Sequence, residues 1–193
     1  MKKTICFLIA ALTTVAGGYS QTVQIVYSKL SPQASYAAEK IEAAMVEKGY
    51  SKRENKAEYE INISVNAGSV GAEAFSVATN RKRITVTGGD DRGLIYGSLS
   101  VAEDIRNGIR LENIKAKNEK PNYPLRAVKF DLPWDTYRHS MALDLHMETC
   151  KDVDYWKAFL DMMAENRLNS LSLWNLHPYT FMIKPKNFPE ASP

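Results

Sequence analysis

The sequence predicts an α/β protein in which a small α+β domain, an open sheet with helices on one face, precedes the opening of a parallel barrel. Strands rich in β-branched residues alternate with amphipathic helical segments over residues 22–112. The polar stretch NEKPNYP, residues 118–124, is typical of a domain boundary. After it, the order strand, loop, helix, strand indicates the first β-α-β turn of a (β/α)₈, or TIM, barrel.

Residues 1–20 are predicted to be a secretory signal peptide. Lys2 and Lys3 form a charged start, residues 5–16 an apolar stretch, and Gly18-Tyr19-Ser20 a small-x-small cleavage site. The apolar stretch is too short to span a bilayer. We therefore expect cleavage after Ser20 and a secreted protein that is periplasmic or extracellular.

The charge and the residue spacing of the sequence argue against several classes of binding partner. The chain has 25 basic and 22 acidic residues, and two of the lysines fall in the predicted signal peptide, so the mature chain is close to neutral. This balance predicts no nucleic-acid-binding surface and no polybasic membrane patch. No later apolar segment is long enough to predict a membrane span. The three histidines show no ligand spacing with Cys150, so we predict no metal site and no cofactor.

Residues 21–120 are predicted to form the first domain, with the order β-α-β-β-β-α. Its strands are predicted at residues 22–28, 58–65, 75–79 and 83–87. Between the first two strands, Ser31 as N-cap and Pro32 as the first helical residue predict the start of a helix, and Gly49 predicts its end.

The second helix of this domain follows Gly88-Gly89-Asp90-Asp91, the first four residues of the glycine-containing motif GGDDRG. A loop between a strand and a helix N-terminus is where phosphates bind. The G-x-G-x-x-G spacing is absent, however, and the two aspartates would repel an anion. We therefore predict a tight turn with an aspartate N-cap, and a helix that ends at Gly108.

Residues 121–193 are predicted to be an incomplete start of the barrel, because a whole barrel needs about 250 residues. A strand after Pro124, a helix over residues 152–167 and a strand that begins near Ser170 make up this part. Active sites of such barrels lie at the C-terminal ends of the strands. The candidate substrate-binding residues at these ends are Asp131, Trp134, Asp135, Trp174, Asn175 and His177.

These residue types suit a sugar, because an aromatic ring stacks on the apolar face of a pyranose while carboxylates and amides bind its hydroxyls. Other roles remain open. An alternative role for Asp131 is hydrogen bonding to neighbouring backbone, and an alternative role for Trp134 and Trp174 is core packing. His177 has the alternative of a structural hydrogen bond in its loop.

Three sequence patterns resemble known glycosidases. The pattern G-x-x-x-G-x-x-Y-G, from Gly89 to Gly97, is similar to the end of the small N-terminal domain (domain 2) of family-20 β-hexosaminidases and family-67 α-glucuronidases, where a catalytic barrel follows. Arg126 and Asp131 resemble the hexosaminidase pattern of an arginine, four residues and an aspartate. The run Ala-x-x-Arg-x-Asn that ends at Asn169 occurs in both families.

The chain also departs from these patterns. Ala127 stands where the hexosaminidases usually have glycine, and a run similar to their Asp-x-x-Arg-His comes four residues late, at residues 135–139. The pair Trp134-Asp135 is closer to the α-glucuronidases. The resemblance therefore leaves the choice between the two families open.

The resemblance implies the N-terminal fragment of a secreted glycoside hydrolase that acts on O-glycosyl bonds of complex polysaccharides or glycans. The enzyme would be α-glucuronidase-like or β-N-acetylhexosaminidase-like, and its catalytic carboxylates would lie beyond residue 193. We therefore assign no catalytic residue and expect this chain alone to be inactive. By the same resemblance Arg126 would bind hydroxyls of the terminal sugar. The alternative role for Arg126 is a structural ion pair with a carboxylate at the base of the barrel. A non-catalytic carbohydrate-binding or docking module and a truncated gene product remain the alternative functions.

Overall fold

The computed structural model describes residues 21–132, 141–174 and 186–191, which contain two separate sheets. The six-stranded unit comprises residues 21–119, and the two-stranded unit comprises residues 124–132 and 141–174. The predicted signal peptide lies outside the described residues. The elements of the six-stranded unit are β1 (Thr22–Val26), α1 (Pro32–Glu47), β2 (Ser51–Lys52), β3 (Tyr59–Val65), β4 (Phe75–Asn80), β5 (Arg83–Gly88), α2 (Asp91–Arg106), a 3₁₀ turn (Leu111–Asn113) and β6 (Lys117–Glu119).

The strands of this unit lie in the order β2-β1-β3-β5-β4-β6. β1 pairs parallel with β2 and β3, β3 pairs parallel with β5, and β4 pairs antiparallel with β5 and β6. The predicted order β-α-β-β-β-α is present, with β2 and β6 as additional short strands. β6 occupies the first residues of the stretch predicted as a boundary, since Glu119 pairs with Phe75. Such a short polar strand carries no periodicity by which a sequence could reveal it.

Both helices begin and end at the residues that the sequence indicates. The Ser31 hydroxyl accepts a hydrogen bond from the Ala34 N–H at 3.1 Å, and the Asp90 carboxylate accepts one from the Gly93 N–H at 2.7 Å. Gly49 and Gly108 follow the helices with φ of 79° and 82°. The loop before α2 is therefore a capping turn, as predicted.

The core of the six-stranded unit lies between one face of the sheet and the two helices, which pack against each other. The largest fully buried side chains include Ile41, Met45, Ile61, Ile84, Leu94 and Ile105. A Cβ on Gly97 would lie 2.7 Å from Val86 Cγ1, and one on Gly93 would lie 2.1 Å from the Ala74 carbonyl oxygen. Gly97 therefore lets α2 lie directly on the sheet, and Gly93 lets it lie against the residue that precedes β4.

The two-stranded unit contains β7 (Ala127–Asp131), α3 (Met141–Lys151), α4 (Val153–Glu165) and β8 (Ser170–Trp174). β7 and β8 pair parallel, in a register that places Asp131 beside Trp174. The predicted strand-helix-strand order is present, and α3 is an additional helix in a region predicted as loop. The helix predicted over residues 152–167 is α4, and its N-cap is Asp152, whose carboxylate accepts a hydrogen bond from the Asp154 N–H at 2.8 Å.

One face of β7 and β8 is covered by aromatic side chains of the helices. The ring of Phe130 lies 5.0 Å from that of Trp156 and 5.5 Å from that of Phe159, centroid to centroid. Leu160 and Met163 line a groove shared with α2. The opposite face of the strands carries Lys129, Asp131 and Trp174. Within the described residues, no helix is both long enough and apolar enough to cross a membrane.

Candidate functional site

Asp131 and Trp174 lie side by side at the C-terminal ends of β7 and β8, as the sequence predicted. Lys129, which the sequence analysis missed, shares their face because it precedes Asp131 by two residues in a strand. Its ammonium nitrogen lies 3.0 Å from an Asp131 carboxylate oxygen and 3.7 Å from the centroid of a Trp174 ring. We call Lys129, Asp131 and Trp174 the strand-end cluster.

The strand-end cluster is open to solvent and held together weakly. The Lys129 and Asp131 side chains are 56% and 59% exposed, and Trp174 is 43% exposed. Exposed ion pairs and exposed cation–π contacts contribute at most about 1 kcal/mol each. A ligand can therefore displace Lys129 from the indole face. The cluster would then offer an aromatic surface, a carboxylate acceptor and a cation.

The remaining strand-end candidates, Trp134, Asp135, Asn175 and His177, lie outside the described residues. Their assignment to a sugar-binding floor stays a prediction. Across residues 21–132, 141–174 and 186–191, no group of His, Cys, Asp and Glu side chains is arranged to hold a metal ion.

Arg126 lies just before β7, at the opposite end of the strand from Asp131. At about 3.3 Å per residue the two are roughly 16 Å apart, so the structure does not bring Arg126 to the strand-end cluster. Its Nη2 donates to Glu73 Oε2 at 2.7 Å and to the Tyr96 hydroxyl at 3.1 Å. Its other guanidinium nitrogens donate to the carbonyl oxygens of Arg167 and Tyr123. This is the carboxylate pairing considered from the sequence. The sugar-binding role stays a prediction and would require these contacts to break.

Glu73, in the loop between β3 and β4, is the centre of this second site. Its carboxylate accepts hydrogen bonds from Arg92 Nη1 at 2.7 Å, from Arg126 Nη2 at 2.7 Å and from Asn169 Nδ2 at 3.0 Å. We call Glu73, Arg92, Tyr96, Arg126 and Asn169 the Glu73 cluster. It joins the six-stranded unit to the two-stranded unit.

Burial alone would raise the pKa of Glu73, since desolvation disfavours a carboxylate. The hydrogen bonds from Asn169, Arg126 and Arg92 outweigh that effect and lower the pKa to about 2. The Glu73 backbone has a φ of 56°, and its N–H donates to Asp90 Oδ2 at 3.0 Å. The capping aspartate of α2 thus also holds Glu73 in place.

Each of the three glycosidase-like patterns contributes one residue to the Glu73 cluster, and Arg126 comes from the pattern that ends at Asp131. Tyr96 belongs to G-x-x-x-G-x-x-Y-G, and Asn169 ends Ala-x-x-Arg-x-Asn. Asn169 Oδ1 accepts from the Arg126 N–H at 3.0 Å, and its Nδ2 donates to the Pro124 carbonyl oxygen at 2.8 Å. These pattern residues therefore join the two units, rather than lying with the strand-end candidates.

Residues 12–118, more than half of the chain, match glycosyl hydrolase family 20, domain 2. The chain belongs to this family. The match covers the six-stranded unit almost to its end. No curated protein matched the sequence.

The similarity to solved structures extends beyond the residues that match domain 2 and includes the two-stranded unit. A family-138 enzyme that targets pectin rhamnogalacturonan II has a TM-score of 0.71 and 28% identity, over 87% of this chain and 26% of the enzyme. A family-115 4-O-methyl-α-glucuronidase has a TM-score of 0.59 and 16% identity, over 90% of this chain and 28% of the enzyme. A Streptomyces plicatus β-hexosaminidase has a TM-score of 0.51 and 17% identity, over 80% of this chain and 30% of the enzyme.

These comparisons confirm the fold class and the resemblance to glycoside hydrolases. The matched α-glucuronidase is of family 115, whereas the sequence pattern suggested family 67. The chain spans between a quarter and a third of the length of these three enzymes.

Proposed function

We propose that this chain is the N-terminal part of a secreted glycoside hydrolase that cleaves O-glycosyl bonds in complex polysaccharides. The observation that supports the proposal best is that the likeness to the family-138 enzyme covers 87% of this chain, and so runs through both units. Residues 1–20 are its signal peptide, and residues 121–193 begin its (β/α)₈ barrel. The catalytic carboxylates lie beyond residue 193, so the fragment alone is inactive.

We further propose that its substrate carries acidic sugars, which favours an α-glucuronidase-like enzyme over a hexosaminidase-like one. Lys129 supports this, because its ammonium group lies on the strand face that would form the inside of the barrel, next to the aromatic ring of Trp174. A cation there binds a sugar carboxylate, and Asp131 then accepts from a hydroxyl. A neutral N-acetylhexosamine gives Lys129 no matching anion.

The test compares the 193-residue chain with a longer protein that also includes the sequence encoded downstream of it. Both proteins are assayed on pectic polysaccharides, on glucuronate-bearing polysaccharides and on aryl N-acetylhexosaminides. We expect reducing-end release from the acidic polysaccharides by the longer protein and none by the chain. Lys129→Met should raise KM for the acidic substrate about tenfold, since it removes a charge-assisted contact. Lys157→Met, which removes an exposed ion pair with Asp154 on α4, is the matched control. Turnover by the chain, or activity on N-acetylhexosaminides alone, would contradict the proposal.

A non-catalytic carbohydrate-binding module is the second candidate, and the exposure of Trp174 favours it. Calorimetric titration of the chain with acidic oligosaccharides distinguishes the two functions. Binding by the chain that is lost in Trp174→Ala, together with no hydrolysis by the longer protein, would favour the binding module.

A further inference from the structure

The two-stranded unit has little core of its own. Among the described residues, Met163 is its single buried hydrophobic side chain, and Leu160, Leu173 and Trp174 are exposed. An isolated pair of strands is marginally stable in water, and here helix side chains pack on only one face of β7 and β8. The observed arrangement of β7 and β8 therefore needs support from elsewhere in the molecule.

In the described part of the chain, polar contacts join the two units at three places. Besides the Glu73 cluster, Lys40 of α1 pairs with Glu165 at 2.8 Å, and Glu103 of α2 pairs with Arg167 at 2.8 Å. The latter two pairs are partly exposed, with Glu165 and Glu103 side chains both 48% accessible. Glu73 and Arg126 are only 12% and 16% exposed. Because solvent screens exposed pairs, the Glu73 cluster is the strongest of the three contacts.

The Glu73 cluster holds both strands where they begin. Asn169 directly precedes β8, and Arg126 directly precedes β7. Their backbones are joined by a hydrogen bond from the Asn169 N–H to the Arg126 carbonyl oxygen at 2.9 Å. Since Glu73 accepts from both side chains, it fixes the two strand starts relative to each other and to the six-stranded unit.

We propose that the six-stranded unit has a scaffolding function: its Glu73 loop and Tyr96 form a docking surface whose partner is the start of the two-stranded unit. Docking sets the register of β7 and β8. That register places Asp131 beside Trp174 at the other ends of the strands. A residue remote from the strand-end cluster thus positions it.

The backbone of Glu73 supports a role beyond loop packing. A positive φ is uncommon for a residue other than glycine and costs free energy. Here the conformation is held by the hydrogen bond to Asp90, and it aims the carboxylate at Arg126 and Asn169. Without Glu73, the Arg126 guanidinium would be left largely buried without its carboxylate.

Hydrogen exchange measured by mass spectrometry on the whole chain tests this scaffolding function. In Glu73→Gln we expect the amides of residues 127–131 and 170–174 to exchange about tenfold faster, because one charged hydrogen-bond set is lost. The amides of β3 and β5 should keep their wild-type rates. Glu60→Gln is the matched control, since Glu60 pairs with Arg83 inside the six-stranded unit.

Tryptophan fluorescence supplies a second readout, because all three tryptophans, Trp134, Trp156 and Trp174, follow the six-stranded unit in the sequence. In Glu73→Gln the urea midpoint followed by fluorescence should fall by about 1 M, while the midpoint followed by circular dichroism of the helices falls less. Tyr96→Phe, which removes only the hydroxyl that binds Arg126, should give a smaller shift in the same direction.

Wild-type exchange rates for residues 127–131 and 170–174 in both variants would overturn the proposal. Equal acceleration in β3, β5, β7 and β8 would also overturn it, since Glu73 would then serve the six-stranded unit itself. If Glu73→Gln fails to fold, the exchange pattern of Tyr96→Phe decides by the same two criteria.

Discussion

The six-stranded unit and the two-stranded unit differ in what holds them together. The first buries a continuous apolar core between a sheet and two helices, whereas the described part of the second buries one hydrophobic side chain and packs aromatic rings on one face of two strands. The candidate ligand-binding residues that the structure describes, Asp131 and Trp174, lie on the second unit. The unit that carries these candidate residues is thus the unit whose stability depends on contacts with the other unit.

The contact between the units combines an apolar groove between α2 and α4 with ionic contacts, and the ionic part depends on pH. A hydrophobic interface resists pH change, but the Glu73 cluster depends on one carboxylate staying ionised. The comparison therefore predicts that changes in the core affect both units, whereas changes in the Glu73 cluster affect chiefly the second.

Removing core volume from α1 should have the largest effect. Ile41→Ala leaves a cavity at a fully buried position and should lower the free energy of unfolding by about 2–5 kcal/mol. Urea unfolding followed by circular dichroism and by tryptophan fluorescence should shift together. Val46→Ala, at a 64% exposed position of the same helix, is the control and should change little. A fluorescence midpoint that stays at its wild-type value would show that the two-stranded unit stands alone.

Acid should weaken the link between the units through Glu73. Its pKa is lowered to about 2 from 4.5, so its contribution is present above pH 4.5 and is lost as pH falls toward 2. The shift corresponds to about 3 kcal/mol at neutral pH. We expect the fluorescence-monitored stability of the wild type to fall between pH 4.5 and pH 2 more steeply than that of Glu73→Gln. Parallel pH profiles would contradict the assigned role.

Filling the contact between α2 and the sheet should cost less than emptying the core. A Cβ on Gly97 would meet Val86 Cγ1 at 2.7 Å and Phe75 Cβ at 3.0 Å, so Gly97→Ala should destabilise the six-stranded unit by about 1–3 kcal/mol. Gly68→Ala, where the nearest atom lies at 3.6 Å, is the control for thermal unfolding. Equal melting temperatures for the two variants would show that α2 moves to accommodate the methyl group.

The smallest effect is expected at the edge of the interface. Glu103→Gln removes the partly exposed ion pair with Arg167 and should change the fluorescence-monitored stability by less than about 1 kcal/mol. If Glu103→Gln destabilises the two-stranded unit as much as Glu73→Gln does, the burial of the Glu73 cluster does not explain its contribution to stability.

The sequence revealed the helices and main strands of the six-stranded unit, but not all of the candidate site. Asp131 and Trp174 were found because parallel strands end at the same edge of a sheet. Lys129 was missed, although its spacing from Asp131 within a strand could have placed it on the same face. Glu73 lies in an irregular loop that carries no periodic signal.

What the sequence determined by itself is local: the caps at Ser31 and Asp90, the helix ends near Gly49 and Gly108, and the alternation of the strands. Each depends on side chains within a few residues of the backbone that they affect. The Glu73 cluster was decided by the tertiary structure alone. Its hydrogen bonds join residues that are 19, 53 and 96 positions apart, and only the packing of α2, β7 and β8 brings their polar side chains together. Electrostatic contact depends on distance in space, which a linear pattern does not record.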